Sequence, residues 1–143
     1  MSSIVIERQE FSVRELQQIH LLLDYCYPRP PKDVFYRFVR QYRGNMLNYL
    51  AVDGDVLAGI VHLAPNSKGG TLETLAVHPE YQGQGIAKEL VEKLISSNPG
   101  VIQLTTRIPR FFQQFGFQQI VRLTDGSDFM LRSDSITPKD GDV

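Results

Sequence analysis

One stretch constrains this chain more than any other: Thr71-Leu-Glu-Thr-Leu-Ala-Val-His-Pro-Glu-Tyr-Gln-Gly-Gln-Gly-Ile-Ala-Lys-Glu-Leu-Val-Glu-Lys-Leu94. Its first half, through Val77, reads as a strand that ends at His78-Pro79. From about Gly85, the spacing of Ile86, Leu90, Val91, Leu94 and Ile95 predicts an amphipathic helix. The turn between them carries Gly83 and Gly85, which accept positive φ and let a ligand approach the backbone closely. A strand feeding a turn of free N–H groups, and then a helix N-terminus, is suited to hold an anion.

The flanking segments supply the rest of a sheet. Ile4 to Ile6 is a candidate opening strand. Phe11-Ser-Val-Arg-Glu-Leu16 is a complete helix start: Ser12 can cap, Glu15 stands at the reciprocal position, and Phe11 and Leu16 can form the hydrophobic staple. Pro28-Arg-Pro-Pro31 breaks that helix. A second helix is expected from about Lys32 to Tyr42, with Arg37, Arg40 and Arg43 on its polar face. Asn48 to Leu63 holds two β-rich runs around Asp53-Gly54, a hairpin signal. Pro65 to Gly70 reads as a loop. After the central helix, Asn98-Pro-Gly100 is a stop, Val101 to Thr105 a strand, and Pro109 to about Phe115 a short helix. Phe117 to Leu123 and Phe129 to Leu131 read as strands, and Ser133 to Val143 as a loose polar tail after a single domain spanning 1–132. The order predicts an α/β fold on a mixed sheet.

Bulk properties remove several classes of function. The 143 residues are 42% hydrophobic and 22% charged, which fits one globular domain, and the net charge of −1 gives no general attraction to nucleic acid or acidic membranes. Cys26 is the sole cysteine, so neither an internal disulfide nor a cysteine-based metal site is available. No apolar run approaches membrane-spanning length, so the expectation is a cytoplasmic protein, monomer or homodimer, with neither nucleic acid nor membrane as partner and no metal.

The glycine turn admits several readings. A P-loop ends in Gly-Lys-Ser/Thr, but Gly85 is followed by Ile86-Ala87, and a dinucleotide fingerprint lacks its third glycine because Lys88 stands there. An ordinary tight turn into a packed helix is a further alternative. The wider pattern is more specific. Leu75-Ala-Val-His-Pro-Glu-Tyr-Gln-Gly-Gln-Gly-Ile-Ala87 resembles the core motif of the GNAT N-acetyltransferase superfamily, Q/R-x-x-G-x-G/A after a strand, through Gln82, Gly85 and Ala87. Phe111-Phe-Gln-Gln-Phe-Gly-Phe117 resembles its second motif, and the element order agrees up to about Arg132. Leu104-Thr-Thr-Arg107 with Phe111-Phe112 and Gly116-Phe117 is also similar, over a short span, to the acetyltransferase part of N-acetylglutamate synthases.

The resemblance implies a mostly antiparallel sheet, splayed between its fourth and fifth strands, with helices on both faces. It implies acetyl-CoA as cofactor, leaving coenzyme A as product. The pyrophosphate would lie on Gln82, Gly83, Gln84, Gly85, Ile86 and Ala87. The pantetheine arm would pair with Leu75, Ala76 and Val77, with Thr105 and Phe112 on the far side of the slot. It further implies an oxyanion donor, read here as the Val77 N–H.

Acetyl transfer needs a neutral amine, and a lysine-like amine titrates at about 10, so a base is required. Glu73 is the preferred base, placed by strand alternation on the same face as Leu75 and Val77; a solvent-facing carboxylate is the alternative. His62, read as an exposed strand residue, and His78 are the other candidates. The family's tyrosine that protonates the departing thiolate is replaced by Phe112, so Thr105, Thr106 or water would have to donate. Tyr25, Tyr27 and Arg29 are candidate acceptor-site residues, in the segment that the family varies. The expected partner is a small-molecule amine or amino acid. A non-catalytic acetyl-CoA-binding regulatory module and a protein N-terminal or lysine acetyltransferase are the alternatives.

Overall fold

A computed structural model describes residues 4–8, 10–27 and 46–133. Seven strands form one sheet: β1 Ile4–Arg8, β2 Leu47–Asp53, β3 Val56–Asn66, β4 Gly69–Val77, β5 Val101–Thr106, β6 Gln118–Arg122 and β7 Asp128–Ser133. Their order is β1-β2-β3-β4-β5-β7-β6. Every neighbouring pair is antiparallel except β4 with β5. That parallel pair needs a crossover, which is helix α2, Ile86–Ser97, lying between the two strands in sequence.

Helix α1, Val13–Cys26, starts as its sequence predicts. The Ser12 side chain accepts from the Glu15 N–H at 3.1 Å, and the Glu15 carboxylate accepts from the Ser12 N–H at 2.9 Å. Arg8 also pairs with Glu15, and these hydrogen bonds and the guanidinium hold the Glu15 carboxyl below its ordinary range although partial burial opposes them. Two cores sandwich the sheet. On one face Ile19, Leu22 and Leu23 of α1 pack on Leu50, Leu57, Ile60 and Ala76. On the other, Ile86, Leu90, Val91 and Leu94 of α2 pack on Tyr49, Val61, Leu63, Leu72 and Ile102, joined by Phe112 of the short helix α3, Pro109–Gln113. Helices therefore cover both faces, as expected.

Two details depart from expectation. The stretch Pro65 to Gly70 is a tight hairpin, not a loop: β3 runs to Asn66, β4 starts at Gly69, and the Asn66 carbonyl Oδ1 accepts from the N–H groups of Lys68 and Gly69. Gly69 is required because β5 passes so close that a Cβ there would lie 2.1 Å from the Val101 carbonyl. Ser133, read as the start of the tail, is the last residue of β7. The expected helix over 32–42, Arg29 and residues 134–143 lie outside the described residues. Among the described residues, no helix is long and apolar enough to cross a membrane.

Candidate active site

The pairing of β4 with β5 covers only Gly69 to Thr71 against Val101 to Gln103. Beyond Thr71 the strands separate, and the gap is a cleft of about 700 Å3 lined by residues 71–75 and 104–108 together with Tyr27 and Phe112. A β-bulge sets this geometry. His62 pairs with Glu73 and Ile60 with Ala76, so Thr74 and Leu75 oppose the single residue Val61. Thr74 takes φ of +55°, the one positive φ on a non-glycine among the described residues. A β-branched residue seldom adopts that conformation, and such strain concentrates where geometry serves a site.

The bulge corrects the predicted facing of Glu73. Simple alternation would put Glu73 with Leu75 and Val77. Instead Leu75 and Val77 pack toward the core under α2, while Glu73 shares the α1 side of the sheet with His62 and Ala76. Glu73 is partly buried, its side chain 30% exposed, with Oε1 3.8 Å from His62 Nε2. His62 is not the exposed strand residue expected; it is fully buried. His78 is a cap: its Nδ1 accepts from the Glu80 N–H at 3.1 Å, opening a single 3-10 turn over Pro79–Tyr81.

The same strand presents a backbone edge to the gap. The His78 N–H donates to the Ala58 carbonyl of β3 at 2.7 Å. Peptide groups alternate along a strand, so those of Ala76 also face β3 and those of Leu75 and Val77 face the gap. Side chains reach their carbonyls from that direction: Tyr27 Oη donates to Leu75 O at 3.1 Å, and Gln82 Nε2 donates to Val77 O at 3.3 Å. The Cys26 thiol also donates to Val77 O, at 3.5 Å; burial pushes its pKa up and keeps it protonated at neutral pH. Ala76, predicted to meet the cofactor, turns its side chain into the α1 core and its peptide toward β3. Leu75 borders the cleft, whereas Val77 belongs to the hollow beyond it.

That second hollow, about 390 Å3, is the glycine turn. Gly85 is the N-cap of α2 with φ 82° and ψ 12°, and has no side chain to cap the helix. The first intrahelical bond is from the Glu89 N–H to Gly85 O at 3.1 Å, so the N–H groups of Ile86, Ala87 and Lys88 lack an intrahelical acceptor. Gly83 is also at φ 82°, and a Cβ on either glycine would meet nothing within 4 Å. The outer side of the turn is therefore open to a ligand. Tyr81 is buried beneath it and donates to Asp53 Oδ2 at 2.8 Å, which raises the phenol pKa and ties the turn to the β2–β3 hairpin. The Gln84 side chain turns back to Glu80 O at 3.4 Å.

Lys88 lines this hollow, and sequence reasoning had not singled it out. A signal was present, since a lysine in a first helical turn opposes the helix dipole unless an anion lies nearby. Phe111 lines the hollow and its neighbour Phe112 the cleft, with ring centroids 5.0 Å apart. Phe112 is buried, edge-on to Phe117 as well. Thr105 and Thr106 border the cleft, and the Thr106 hydroxyl accepts from the Ile108 N–H at 2.9 Å. Of the predicted acceptor residues, Tyr27 joins the cleft, whereas Tyr25 is exposed and lines a separate hollow with His78 and Pro79.

Residues 45–119, just over half of the chain, match the family model described as an acetyltransferase (GNAT) domain. Similar solved structures include an acyl-CoA N-acyltransferase from Pseudomonas aeruginosa, at 13% identity and TM-score 0.76, covering 92% of this chain and 100% of that one. An aminoglycoside 6'-N-acetyltransferase complexed with coenzyme A aligns at 17% identity and TM-score 0.76, over 96% of this chain and 99% of that one. A PaiA N-acetyltransferase from Thermoplasma acidophilum in complex with coenzyme A aligns at 16% identity and TM-score 0.70, over 93% and 99%. Among curated proteins, none matches by sequence.

Proposed function

The chain belongs to the GNAT acetyltransferase domain family, and from that premise we propose that it transfers the acetyl group of acetyl-CoA to a primary amine of a small molecule. The observation that carries this reading is the shared strand edge: the open helix N-terminus and the β4–β5 cleft meet at Leu75. One hollow fits a pyrophosphate, with N–H donors at the start of α2, an open glycine turn and the cation of Lys88. The gap-facing edge at Leu75 and Val77 fits an amide-bearing arm. Bound there, acetyl-CoA supplies a thioester whose carbonyl is open to attack.

The remaining work falls to side chains and backbone of this protein. Glu73, partly shielded on the α1 side of the cleft, takes the proton of an ammonium acceptor so that the amine can attack. Buried His62 lies beside it, Nε2 3.8 Å from the carboxylate. The Leu75 N–H, at the second residue of the bulge, faces the gap beside the cleft and is a better-placed oxyanion donor than the predicted Val77 N–H. Phe112 excludes water but holds no proton. The leaving thiolate does not need one for release, because a thiol of pKa about 8.5 is a tolerable leaving group.

Thiol release from acetyl-CoA against a panel of amines, paired with calorimetric binding of coenzyme A, tests the proposal. Release that depends on an amine is the expected result. Tight coenzyme A binding with no release above hydrolysis for any amine would favour a regulatory acetyl-CoA-binding module, the reading that Phe112 motivates.

A further inference from the structure

The cleft beside Glu73 also holds a guanidinium to which acetyl transfer as such gives no task. Arg107 follows β5, is 66% exposed, and lines the same cleft as Glu73, Tyr27 and Thr105. Its Nη2 lies 3.5 Å from Asp125 Oδ2 in the turn between β6 and β7, and its Nη1 lies against Gly126. The pairing is loose. Asp125 directs Oδ1 to the N–H of Ser127 at 2.9 Å and to its hydroxyl at 2.6 Å, and an exposed ion pair at this separation contributes little. The turn thus flanks Arg107 without binding it tightly, and the arginine's fork of N–H donors suits a carboxylate in the cleft that it lines.

Resting on the acetyltransferase reading, we infer that the acceptor is amphoteric: a primary amine whose own carboxylate is held by Arg107 while its nitrogen faces Glu73. Among the described residues lining the cleft, Glu73 is the one carboxylate and Arg107 the one cation. A free amino acid matches both charges. A polyamine or a polycationic sugar would find one carboxylate and then meet a like charge at the rim, which selects against it. The cofactor phosphates do not account for Arg107, because the glycine-turn hollow shares only Leu75 with the cleft.

The experiment compares the common free L-amino acids with their C-terminal amides, and with spermidine and kanamycin as polycations. Acetyl transfer and calorimetric binding in the presence of coenzyme A are both read. For the preferred side chain, the acid is expected to show a KM about tenfold or more below its amide. Arg107→Gln should collapse that preference toward one while leaving coenzyme A affinity within about twofold. Equal KM for acid and amide, or best turnover of a polycation, overturns the inference and leaves acetyl transfer standing. A fall in coenzyme A affinity in Arg107→Gln also overturns it, by giving Arg107 to the cofactor. Coenzyme A binding with no transfer to any amine overturns the transferase reading itself, and this inference with it.

Discussion

Glu73 is partly shielded rather than free in solvent, and its Oε1 lies 3.8 Å from Nε2 of the fully buried His62. A carboxylate in that position can accept a proton from an incoming ammonium without being lost to bulk water. Glu73→Gln keeps the shape and removes the acceptor, so kcat is expected to fall about 10²–10⁴-fold at neutral pH. The loss should shrink as pH rises toward about 10, where the amine supplies its own neutral form. Coenzyme A affinity should hold, since the cradle is elsewhere. Steady-state rates from pH 6 to 10 check this, and wild-type turnover in the variant would remove Glu73 as the base. At this scale the sequence was only half legible. Glu73 could be named as a candidate from its place on the strand, but its face could not be read, because a bulge at Thr74 reverses the alternation on which the reading relied. His62 was misread for a related reason. Polar character argues for exposure, whereas β3 is buried on both faces from Leu57 to Leu63.

At the scale of elements, the turn from Gln82 to Ala87 was legible because it takes a backbone conformation that few residues supply. Gly83 and Gly85 both adopt φ 82°, and Gly85 is the N-cap of α2 with no side chain in the way of the helix N–H groups. Gly85→Val places a β-branched side chain at a positive φ and fills the open side of the turn. Coenzyme A affinity is therefore expected to fall by about two orders of magnitude, the cost of backbone strain at such a position being about 1–3 kcal/mol before any steric block. Titration calorimetry with coenzyme A reads it. Unchanged affinity, in a variant whose circular dichroism matches the wild type, would sink the phosphate assignment. Lys88 escaped notice because surface lysines are common in helices; only its position in the first turn of α2 makes it informative. The two glycines at Gly69-Gly70 misled in the opposite direction. They signalled a loop, but they serve a close approach of β5 to β4, which sequence alone does not display.

Across the whole molecule, the order of elements along the chain and a mixed sheet followed from hydrophobic period and turn chemistry. The covering of both faces and the splay between β4 and β5 were expected from the family resemblance alone. The splay is a tertiary outcome of one strand pairing for three residues and then departing, which local pattern does not display. Helix α2 connects this architecture to the site, because its inner face is core and its N-terminus is the proposed cradle. Leu90 is fully buried under it, against β3 where Gly59 leaves room for it. Leu90→Ala should cost about 2–5 kcal/mol, seen as a lower urea midpoint with an unchanged slope. The cavity lies on the inner face of the helix, about one turn beyond the N–H donors at its end, so the variant should still bind. Coenzyme A at about 100 times its Kd should then return about 2.7 kcal/mol to variant and wild type alike. Urea melts with and without coenzyme A measure both quantities. Equal recovery means that α2 carries stability and ligand binding as separable properties of its inner face and its N-terminal end. A variant that loses stability and also fails to recover it would mean that core packing sets the position of the donors, and that the cradle is only as rigid as the seat of α2 on β3.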